Sequence, residues 1–289
     1  MTNQVKIPED VERDGFLHRI GKLKILHKLV GCLGIYEVTN WILRFRPLVR
    51  TLPRSRIRLR LNSIASFMLY EEMFSRQGYR EAIALHEVRT FVDLGCKIGW
   101  FPCFLGEIQG GNEFSGLMFD ADPRVIPHAR WHLDANALTN CDVIHGVVGV
   151  GEEAMETSFF INPASTQSAL KAFGDTHPFP IKGRVQEARV PVFCVKREWE
   201  KRHGATTTVD LLKIDIEGAE LDFLRSEIDF IKKSVRIIVC EWHNWHVSLQ
   251  QIQEFMIPHG FALVSVTEQD ENGGVVIMRN QQCSAPAEV

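Results

Sequence analysis

The first part of the chain has the hydrophobic spacing of an amphipathic helix. Between residues 16 and 46, apolar side chains recur every three or four positions, as at Leu23, Leu26, Val30 and Leu33. This spacing places them on one face of a helix, and lysines and arginines occupy many of the other positions. We therefore predict a basic helical N-terminal extension over residues 1–55. It packs on the main domain or, alternatively, touches a membrane surface or a carrier.

The spacing changes after this extension. Arginines alternate with aliphatic residues over 56–61, which predicts a half-buried strand, and Ser63 then begins a predicted helix. From Thr90 onward, short β-rich runs alternate with helical segments. The predicted strands are residues 90–94, 115–120, 142–148, 211–214 and 235–240, and the predicted helices are residues 123–137, 219–225 and 248–259.

Alternating strands and helices are typical of an α/β fold with a mostly parallel, doubly wound sheet. The end of the chain departs from this rhythm, because FALVSV and GGVVIMRN are β-rich runs separated by the polar segment TEQDEN. These runs predict a C-terminal antiparallel hairpin. Such an ending is unlike the common dinucleotide-binding arrangement. We expect residues 281–289 to fray.

Composition narrows the class of protein. The chain has 289 residues, of which 45% are hydrophobic and 24% charged, as in ordinary soluble globular proteins. Residues 1–60 hold 13 Lys+Arg against 5 Asp+Glu, whereas the remainder holds 20 against 31. The main body therefore has no global attraction for nucleic acid.

Seven dispersed cysteines without a C-x-x-C pair indicate reduced thiols in a cytoplasmic protein. No apolar run approaches the roughly 20 residues that a membrane span needs.

Two acidic residues and a glycine loop mark the ends of the first predicted strands. Asp93 ends one strand, and Gly95 and Gly99 follow it, where glycine lets a backbone approach a ligand closely. The loop lacks the G-x-G-x-x-G fingerprint of dinucleotide sites and the G-K-[ST] of phosphate loops. Asp120 ends the next strand and can accept hydrogen bonds from both hydroxyls of a ribose. Asp122 is suited to cap the following helix.

A second group of ionisable residues follows two later strands. Asp215 and Glu217 come after the fourth predicted strand, and Glu241 and His243 follow the fifth. Parallel strand ends converge at one edge of a sheet, so these side chains are candidates for acid–base chemistry. Glu220, near a helix N-terminus, has the simpler explanation of a favourable interaction with the helix dipole. His243 has the alternative of a structural residue.

Four of these segments, in this order, resemble the FkbM-type family of S-adenosylmethionine-dependent methyltransferases. They are VDLGCKIG (92–99), FDADP (119–123), KIDIEGAE (213–220) and EWH (241–243), within a predicted domain of residues 56–280. The resemblance implies a class I methyltransferase fold, a Rossmann-like seven-stranded sheet whose last strand is antiparallel. This chain has Cys96 and Lys97 where the family usually has Ala and Asn, and Asp120 where it usually has Glu.

The resemblance also implies which residues bind the cofactor, S-adenosylmethionine. Gly95 and Gly99 would border its methionine end, Asp93 would orient that end, and Asp120 would hold the ribose. Residues near 145–147 would flank the adenine. The complete set of expected cofactor residues is Asp93, Gly95, Cys96, Lys97, Gly99, Asp120, Ala121, His145, Gly146 and Val147.

Asp215, Glu217, Glu241 and His243 are then expected to act on the acceptor. His243 suits removal of a proton near neutral pH. The carboxylates could instead hold a divalent cation, but we rank direct base catalysis first and predict no metal. The family favours an oxygen nucleophile on a small-molecule, glycosyl or natural-product acceptor, and a peptide side-chain amide is the second choice.

Three further expectations complete the hypothesis. The polar segment 162–183 is predicted to form part of a substrate lid, because long loops of this kind are commonly functional. A nicotinamide-dependent oxidoreductase is one alternative, which the missing third glycine and the terminal hairpin disfavour. A non-catalytic binding module on the same scaffold is the other.

Overall fold

The computed structural model describes residues 35–149, 155–162 and 185–283. Most of the predicted extension, nearly all of the predicted lid and the last six residues lie outside these ranges. The chain forms two compact units: residues 1–86 with 100–112, and residues 87–99 with 113–289. The predicted division into 1–55, 56–280 and 281–289 stays a prediction, since much of its first and last parts lies outside the described residues.

The first unit combines short helices with one hairpin. Its elements are α1 (Ile35–Phe45), β1 (Leu48–Thr51), β2 (Arg58–Leu61), α2 (Ile64–Tyr70), a π-helical turn (Glu71–Arg76), α3 (Arg80–Ala84) and α4 (Phe101–Gln109). β1 and β2 pair antiparallel. The alternation over 56–61 does place Ile57, Leu59 and Leu61 in the core. Ser63 begins α2 as predicted, because its hydroxyl accepts a hydrogen bond from the Ser66 N–H and Ser66 returns one.

The second unit contains ten strands and five α-helices among its described residues. The strands are β3 (Thr90–Leu94), β4 (Ser115–Asp120), β5 (Cys141–His145), β6 (Val147–Val148), β7 (Glu156–Ile161), β8 (Gln186–Phe193), β9 (Val209–Ile214), β10 (Val235–His243), β11 (Phe261–Thr267) and β12 (Gly273–Asn280). The helices are α5 (Ile126–Ala135), α6 (Val195–His203), α7 (Glu220–Ser226), α8 (Ile228–Ser234) and α9 (Leu249–Met256), and a 3₁₀ turn (Ile257–His259) follows α9.

Seven of these strands form the main sheet, in the order β11-β12-β10-β9-β3-β4-β5. β12 pairs antiparallel with β10 and with β11, and the other neighbouring strands pair parallel. The predicted doubly wound sheet and C-terminal hairpin are both confirmed. All six residues of β9 are buried, as expected for a central strand of a parallel sheet that helices cover on both faces.

A small second sheet, with the order β6-β8-β7, was absent from the sequence-based prediction. The predicted single strand over 142–148 is therefore wrong: it divides at Gly146 into β5 and β6. A side chain at Gly146 would come within 2.5 Å of the Phe193 ring. Only glycine therefore lets the backbone pass beside β8 and leave the main sheet at this point.

The helix after β4 starts later than its sequence predicts. Val125 is the N-cap of α5 and makes no side-chain capping bond, so the predicted cap at Asp122 is wrong. The Asp122 carboxylate instead accepts a hydrogen bond from the Arg124 N–H at 2.9 Å and pairs with the Arg124 guanidinium at 2.6 Å. The Asp122 carboxylate therefore bonds within a local turn, and the first residue of α5, Ile126, comes four positions later.

Candidate functional site

An open cleft of about 650 Å³ lies at the carboxyl ends of β3, β4, β5 and β9, which is the edge where open α/β sheets bind ligands. The lining residues are Gly95, Lys97, Phe119, Asp120, Ala121, Asp122, Val125, Gly146, Val147, Val148, Phe159, Asp215, Ile216 and Glu217.

The glycine loop owes its shape to close packing. Gly95 and Gly99 both have φ +76°, a left-handed conformation that side chains disfavour. A Cβ on Gly95 would lie 1.7 Å from the Asp215 carbonyl oxygen, and one on Gly99 would lie 2.9 Å from Ala129 Cα. Gly95 lines the cleft and Gly99 does not. The two glycines therefore let the loop pack against the end of β9 and against α5.

Asp120 presents its carboxylate to the cleft from the end of β4. Its Oδ2 accepts a hydrogen bond from the Lys97 N–H at 2.7 Å, and its Oδ1 accepts one from the Asp122 N–H at 2.8 Å. Burial raises the pKa of Asp120 to about 7, although these two hydrogen bonds oppose the rise. Because each carboxylate oxygen can accept a second hydrogen bond, Asp120 keeps acceptor capacity toward hydroxyl groups in the cleft.

Apolar side chains surround Asp120 in the cleft and form a wall that suits a flat aromatic ring. They are Phe119, Ala121, Val125, Val147, Val148 and Phe159. The combination of an apolar wall and a carboxylate fits the adenine and ribose of S-adenosylmethionine.

The structure brings six of the ten predicted cofactor residues to the cleft: Gly95, Lys97, Asp120, Ala121, Gly146 and Val147. Asp93, Cys96, Gly99 and His145 are not among its lining residues. His145 Nε2 lies 3.0 Å from the Ala121 carbonyl oxygen.

Asp93 lies beneath the glycine loop and has no exposed surface. Lys213 Nζ lies 3.0 Å from Asp93 Oδ1 and 3.6 Å from Asp215 Oδ2. Burial raises the pKa of Asp93, and Lys213 opposes that rise. Although burial lowers the pKa of Lys213, the charges of Asp93 and Asp215 raise it on balance. Any influence of Asp93 on a bound cofactor must therefore pass through this ion pair. Sequence reasoning missed Lys213, although a lysine inside the apolar strand VDLLKI signals a buried charged partner.

Asp215 is buried among positive charges. Its Oδ2 lies 3.7 Å from Lys97 Nζ and 3.6 Å from Lys213 Nζ. Burial by itself would raise the pKa of Asp215, but Lys97, Lys213 and His243 lower it to about 2. Asp215 is therefore ionised at neutral pH, and so low a pKa makes it a weak base.

His243 lies between two carboxylates. Its Nδ1 is 2.8 Å from Glu220 Oε1, and its Nε2 is 3.4 Å from Glu217 Oε2. Burial lowers the pKa of His243, but the hydrogen bond to Glu220 and the charges of Glu217 and Glu241 raise it to about 10. The imidazole is therefore protonated at neutral pH. The prediction that Glu241 and His243 follow the strand is wrong. β10 extends through His243, so both residues are among its last three.

Glu220 is fully buried, and its Oε1 also accepts a hydrogen bond from the Gly218 N–H at 2.9 Å. Its favourable position in the first turn of α7 did not reveal that it also fixes His243. The E-x-x-E spacing of IEGAE could have indicated this role, since it brings two carboxylates to one turn.

Glu217 lines the cleft together with Asp215 and is the more exposed of the two side chains. Its backbone has φ +52°, and its side chain is 13% exposed. Burial raises the pKa of Glu217 to about 7, although His243 and Lys97 oppose the rise. The carboxylate therefore gains and loses its proton near neutral pH.

A metal ion could find donor atoms here, because one ligand atom each from Asp215, Glu241 and His243 lies within 4.8 Å of the other two. Lys97 and Lys213 already neutralise Asp215, and Glu220 engages His243 Nδ1. A metal cation would have to compete with the positive charges of Lys97, Lys213 and protonated His243. The arrangement therefore favours a network of ion pairs over a metal centre.

The order and direction of the strands in the main sheet give the topology expected of class I methyltransferases. The profile of the family described as the methyltransferase FkbM domain matches residues 93–263, more than half of the chain. The chain belongs to this family. Its glycine loop, Asp120 and both later motifs lie inside the match.

Known proteins resemble it at a distance. A protein of Jannaschia sp. (strain CCS1), named provisionally as a methyltransferase, is 25% identical over 191 residues. That match covers 63% of this chain and spans 66% of the relative's length. TrmK of M. capricolum, solved with S-adenosyl-homocysteine, has a TM-score of 0.44 at 10% identity over 73% of this chain and 71% of its own. A SAM dependent methyltransferase from Aquifex aeolicus has a TM-score of 0.42 at 13% identity over 73% of this chain and 92% of its own.

Family membership confirms the predicted fold class and enzyme class. The chain carries an S-adenosylmethionine-dependent methyltransferase domain. Among the described residues, no helix has the length and apolar character required to cross a membrane.

Proposed function

We propose that this chain transfers a methyl group from S-adenosylmethionine to an oxygen nucleophile of a small-molecule, glycosyl or natural-product acceptor, with Glu217 as the base that removes the acceptor's proton. The observation that supports this proposal is a cleft-lining carboxylate with a pKa of about 7. A general base works best when its pKa lies near the operating pH.

The two sides of the cleft would divide the work. When bound, the cofactor supplies a methyl group already activated by its positive sulfur. Asp120 would accept hydrogen bonds from the ribose hydroxyls, and the apolar wall would enclose the adenine. The protein's remaining tasks are to align the acceptor oxygen and to remove its proton.

The charge states of Asp215, Glu217 and His243 favour Glu217 as the general base. Asp215 has a pKa of about 2 and holds a proton too weakly to act as an effective base. His243 already carries a proton at neutral pH. The proposal therefore moves the role of base from His243 to Glu217 and makes His243 the cation that positions Glu217 from 3.4 Å.

An oxygen acceptor accords with this base. A hydroxyl group keeps its proton at neutral pH and must lose it during transfer, whereas a free amine needs little help. A peptide side-chain amide also needs a base, and its methylation would be recognised in the products of the experiment below.

The cytoplasmic location is a further part of the proposal. Cys96, Cys141 and Cys240 are buried thiols, and burial raises the pKa of each. Such thiols are inert structural residues, in keeping with a reducing compartment.

The first experiment incubates the protein with S-adenosylmethionine and host metabolite extracts, and mass spectrometry detects products that have gained one methyl group. The variant Glu217→Gln is compared with Glu254→Gln, an exposed glutamate on α9. Turnover should fall by roughly a hundredfold to ten-thousandfold in Glu217→Gln, the usual contribution of a general base. It should be unchanged in Glu254→Gln.

Two readouts separate the parts of the proposal. Calorimetry with S-adenosyl-homocysteine should give the same dissociation constant, within a few-fold, for the wild type and Glu217→Gln. The wild-type kcat/KM should rise with pH and level off above about 7, as Glu217 loses its proton. Full turnover in Glu217→Gln, or a flat pH profile across the neutral range, would show that Glu217 is not the base. Failure of the wild type to bind the product would instead overturn the cofactor assignment.

A further inference from the structure

One segment of the first unit, residues 38–49, concentrates exposed apolar side chains. Of the ten large hydrophobic side chains exposed among the described residues, six lie between positions 38 and 49. Four of these six lie on α1, and we name them the α1 patch: Val38, Trp41, Ile42 and Phe45. Monomeric proteins rarely expose contiguous apolar patches larger than a few hundred Å².

The helix geometry places the aromatic members of the α1 patch together. Residues 38, 41, 42 and 45 follow the i, i+3, i+4, i+7 spacing of one helical face. The rings of Trp41 and Phe45 lie 5.1 Å apart, and these side chains are 64% and 68% exposed. The other side of α1 is fixed to its own unit, because Leu43 is buried and Asn40 Oδ1 accepts a hydrogen bond from the Ile64 N–H at 2.8 Å.

Basic residues lie close to the α1 patch in the sequence. Residues 35–60 contain seven arginines and one acidic residue, whereas residues 61–289 have a net negative charge. Arg44 and Arg46 are exposed and stand on either side of Phe45, and Arg50 follows Val49. An aromatic and aliphatic face bordered by arginines is the signature of a helix that lies in a membrane interface.

We propose that the α1 patch binds the surface of a membrane containing anionic lipids. Trp41 and Phe45 would lie at the depth of the headgroups, where amphipathic rings are favoured. Arg44 and Arg46 would contact lipid phosphates, since basic residues near an anionic leaflet are attracted to it. This contact is independent of the proposed methyl transfer.

Charge disfavours a second copy of the chain as the occupant. A two-fold symmetric contact places the same surface of both subunits together. Such a pairing of the α1 patch would bring the arginines around one patch against those around the other, and like charges in contact are unfavourable. An anionic lipid surface offers the complementary sign.

The test uses the full chain and vesicle sedimentation. Vesicles of phosphatidylcholine are compared with vesicles of phosphatidylcholine and phosphatidylserine. We expect the protein to sediment only with vesicles that contain phosphatidylserine, and added salt should release it because salt screens exposed charges. Trp fluorescence should shift to shorter wavelength on binding.

Matched variants locate the contact. Trp41→Glu/Phe45→Glu should abolish sedimentation, whereas Ile257→Glu, an equally drastic change at an exposed apolar residue of the second unit, should leave it intact. Arg44→Gln/Arg46→Gln should weaken vesicle affinity by about tenfold or more, at about 1 kcal/mol for each arginine near the surface. Circular dichroism verifies that each variant is folded, and the arginine variant decides the matter if the glutamate variant unfolds.

Three outcomes would overturn the proposal. One is the absence of vesicle binding by the wild type. Another is unchanged binding by a folded Trp41→Glu/Phe45→Glu variant or by Arg44→Gln/Arg46→Gln. The third is a dimer in light scattering that this glutamate variant dissolves while neither protein binds vesicles, since a second copy would then occupy the α1 patch.

Discussion

The two sides of the cleft are built by the same kind of strand end but differ sharply in electrostatics. The end of β4 presents Asp120 within an apolar wall, and each of its carboxylate oxygens accepts a hydrogen bond from a backbone N–H. The ends of β9 and β10 present carboxylates interleaved with positive groups, and Asp215 lies within 3.7 Å of two lysines. The first side can recognise a neutral sugar and base, and the second can store and move protons.

The difference shows that burial alone does not determine a charge state. Burial raises the pKa of Asp120 and of Glu217 to about 7 in both settings. Asp215 is at least as buried, yet neighbouring cations lower its pKa to about 2. A carboxylate in this cleft is therefore a proton acceptor near neutral pH only where burial exceeds the effect of the nearest cation.

Removal of the central cation of the charged side should have the largest effect on stability. His243→Ala leaves Glu220 buried with only the Gly218 N–H as a described hydrogen-bond donor. Removing one partner of a buried ion pair costs about 3–5 kcal/mol, so urea unfolding should show a loss of that size. His259→Ala, which removes a bond to the Phe255 carbonyl and a contact with the Phe255 ring but no ion pair among the described residues, is the matched control.

Two further measurements sharpen the test of His243. The double variant His243→Ala/Glu220→Gln should recover part of the lost stability, because it also removes the buried negative charge of Glu220 that His243→Ala leaves without its cation. In the wild type, the folded pKa of His243 is raised above 6.5, so its contribution is full below that pH and is lost as the pH rises through about 10. A His243→Ala protein as stable as the wild type would show that the ion pair contributes nothing.

On the recognition side, Asp120→Asn should weaken cofactor binding with less effect on the fold. The amide loses the charge that strengthens hydrogen bonds to ribose hydroxyls, worth roughly 1.5–3 kcal/mol with a charged partner. Its nitrogen also cannot accept one of the two backbone N–H bonds that the carboxylate oxygens accept. The dissociation constant for S-adenosyl-homocysteine should rise by about tenfold. Wild-type affinity should also increase as the pH rises through about 7, where Asp120 ionises.

Asp142→Asn serves as the control, because this exposed carboxylate of β5 pairs with Arg202. Its dissociation constant should match that of the wild type. An Asp120→Asn variant that binds as tightly as the wild type at every pH would remove Asp120 from the ribose site and erase the proposed contrast between the two sides.

The smallest effect is expected from a chelator. Because Lys97 and Lys213 neutralise Asp215 and Glu220 engages His243, EDTA should leave turnover unchanged. Activity that EDTA abolishes and Mg²⁺ or Mn²⁺ restores would show that Asp215, Glu241 and His243 bind a cation, and that the charged side works as a metal centre.

The sequence by itself determined the architecture and the edge of the sheet where the chemistry lies. Strand and helix periods predicted the parallel sheet, and the polar break between the last two runs predicted the hairpin. These features follow from short-range patterns, because the order of apolar and polar residues within each strand determines which of its faces is buried. The sequence motifs place Asp120, Asp215 and Glu217 at strand ends, and these three residues line one cleft.

Only the tertiary structure decided which of these residues are paired and which hold protons. Lys213 meets Asp93 from a different strand 120 positions away in the sequence, and His243 meets Glu220 across 23 positions. A pKa depends on burial and on charges within a few ångströms, and neither quantity is a property of local sequence. For the same reason the residue pattern favoured His243 as the base, whereas the packed charges around it favour Glu217.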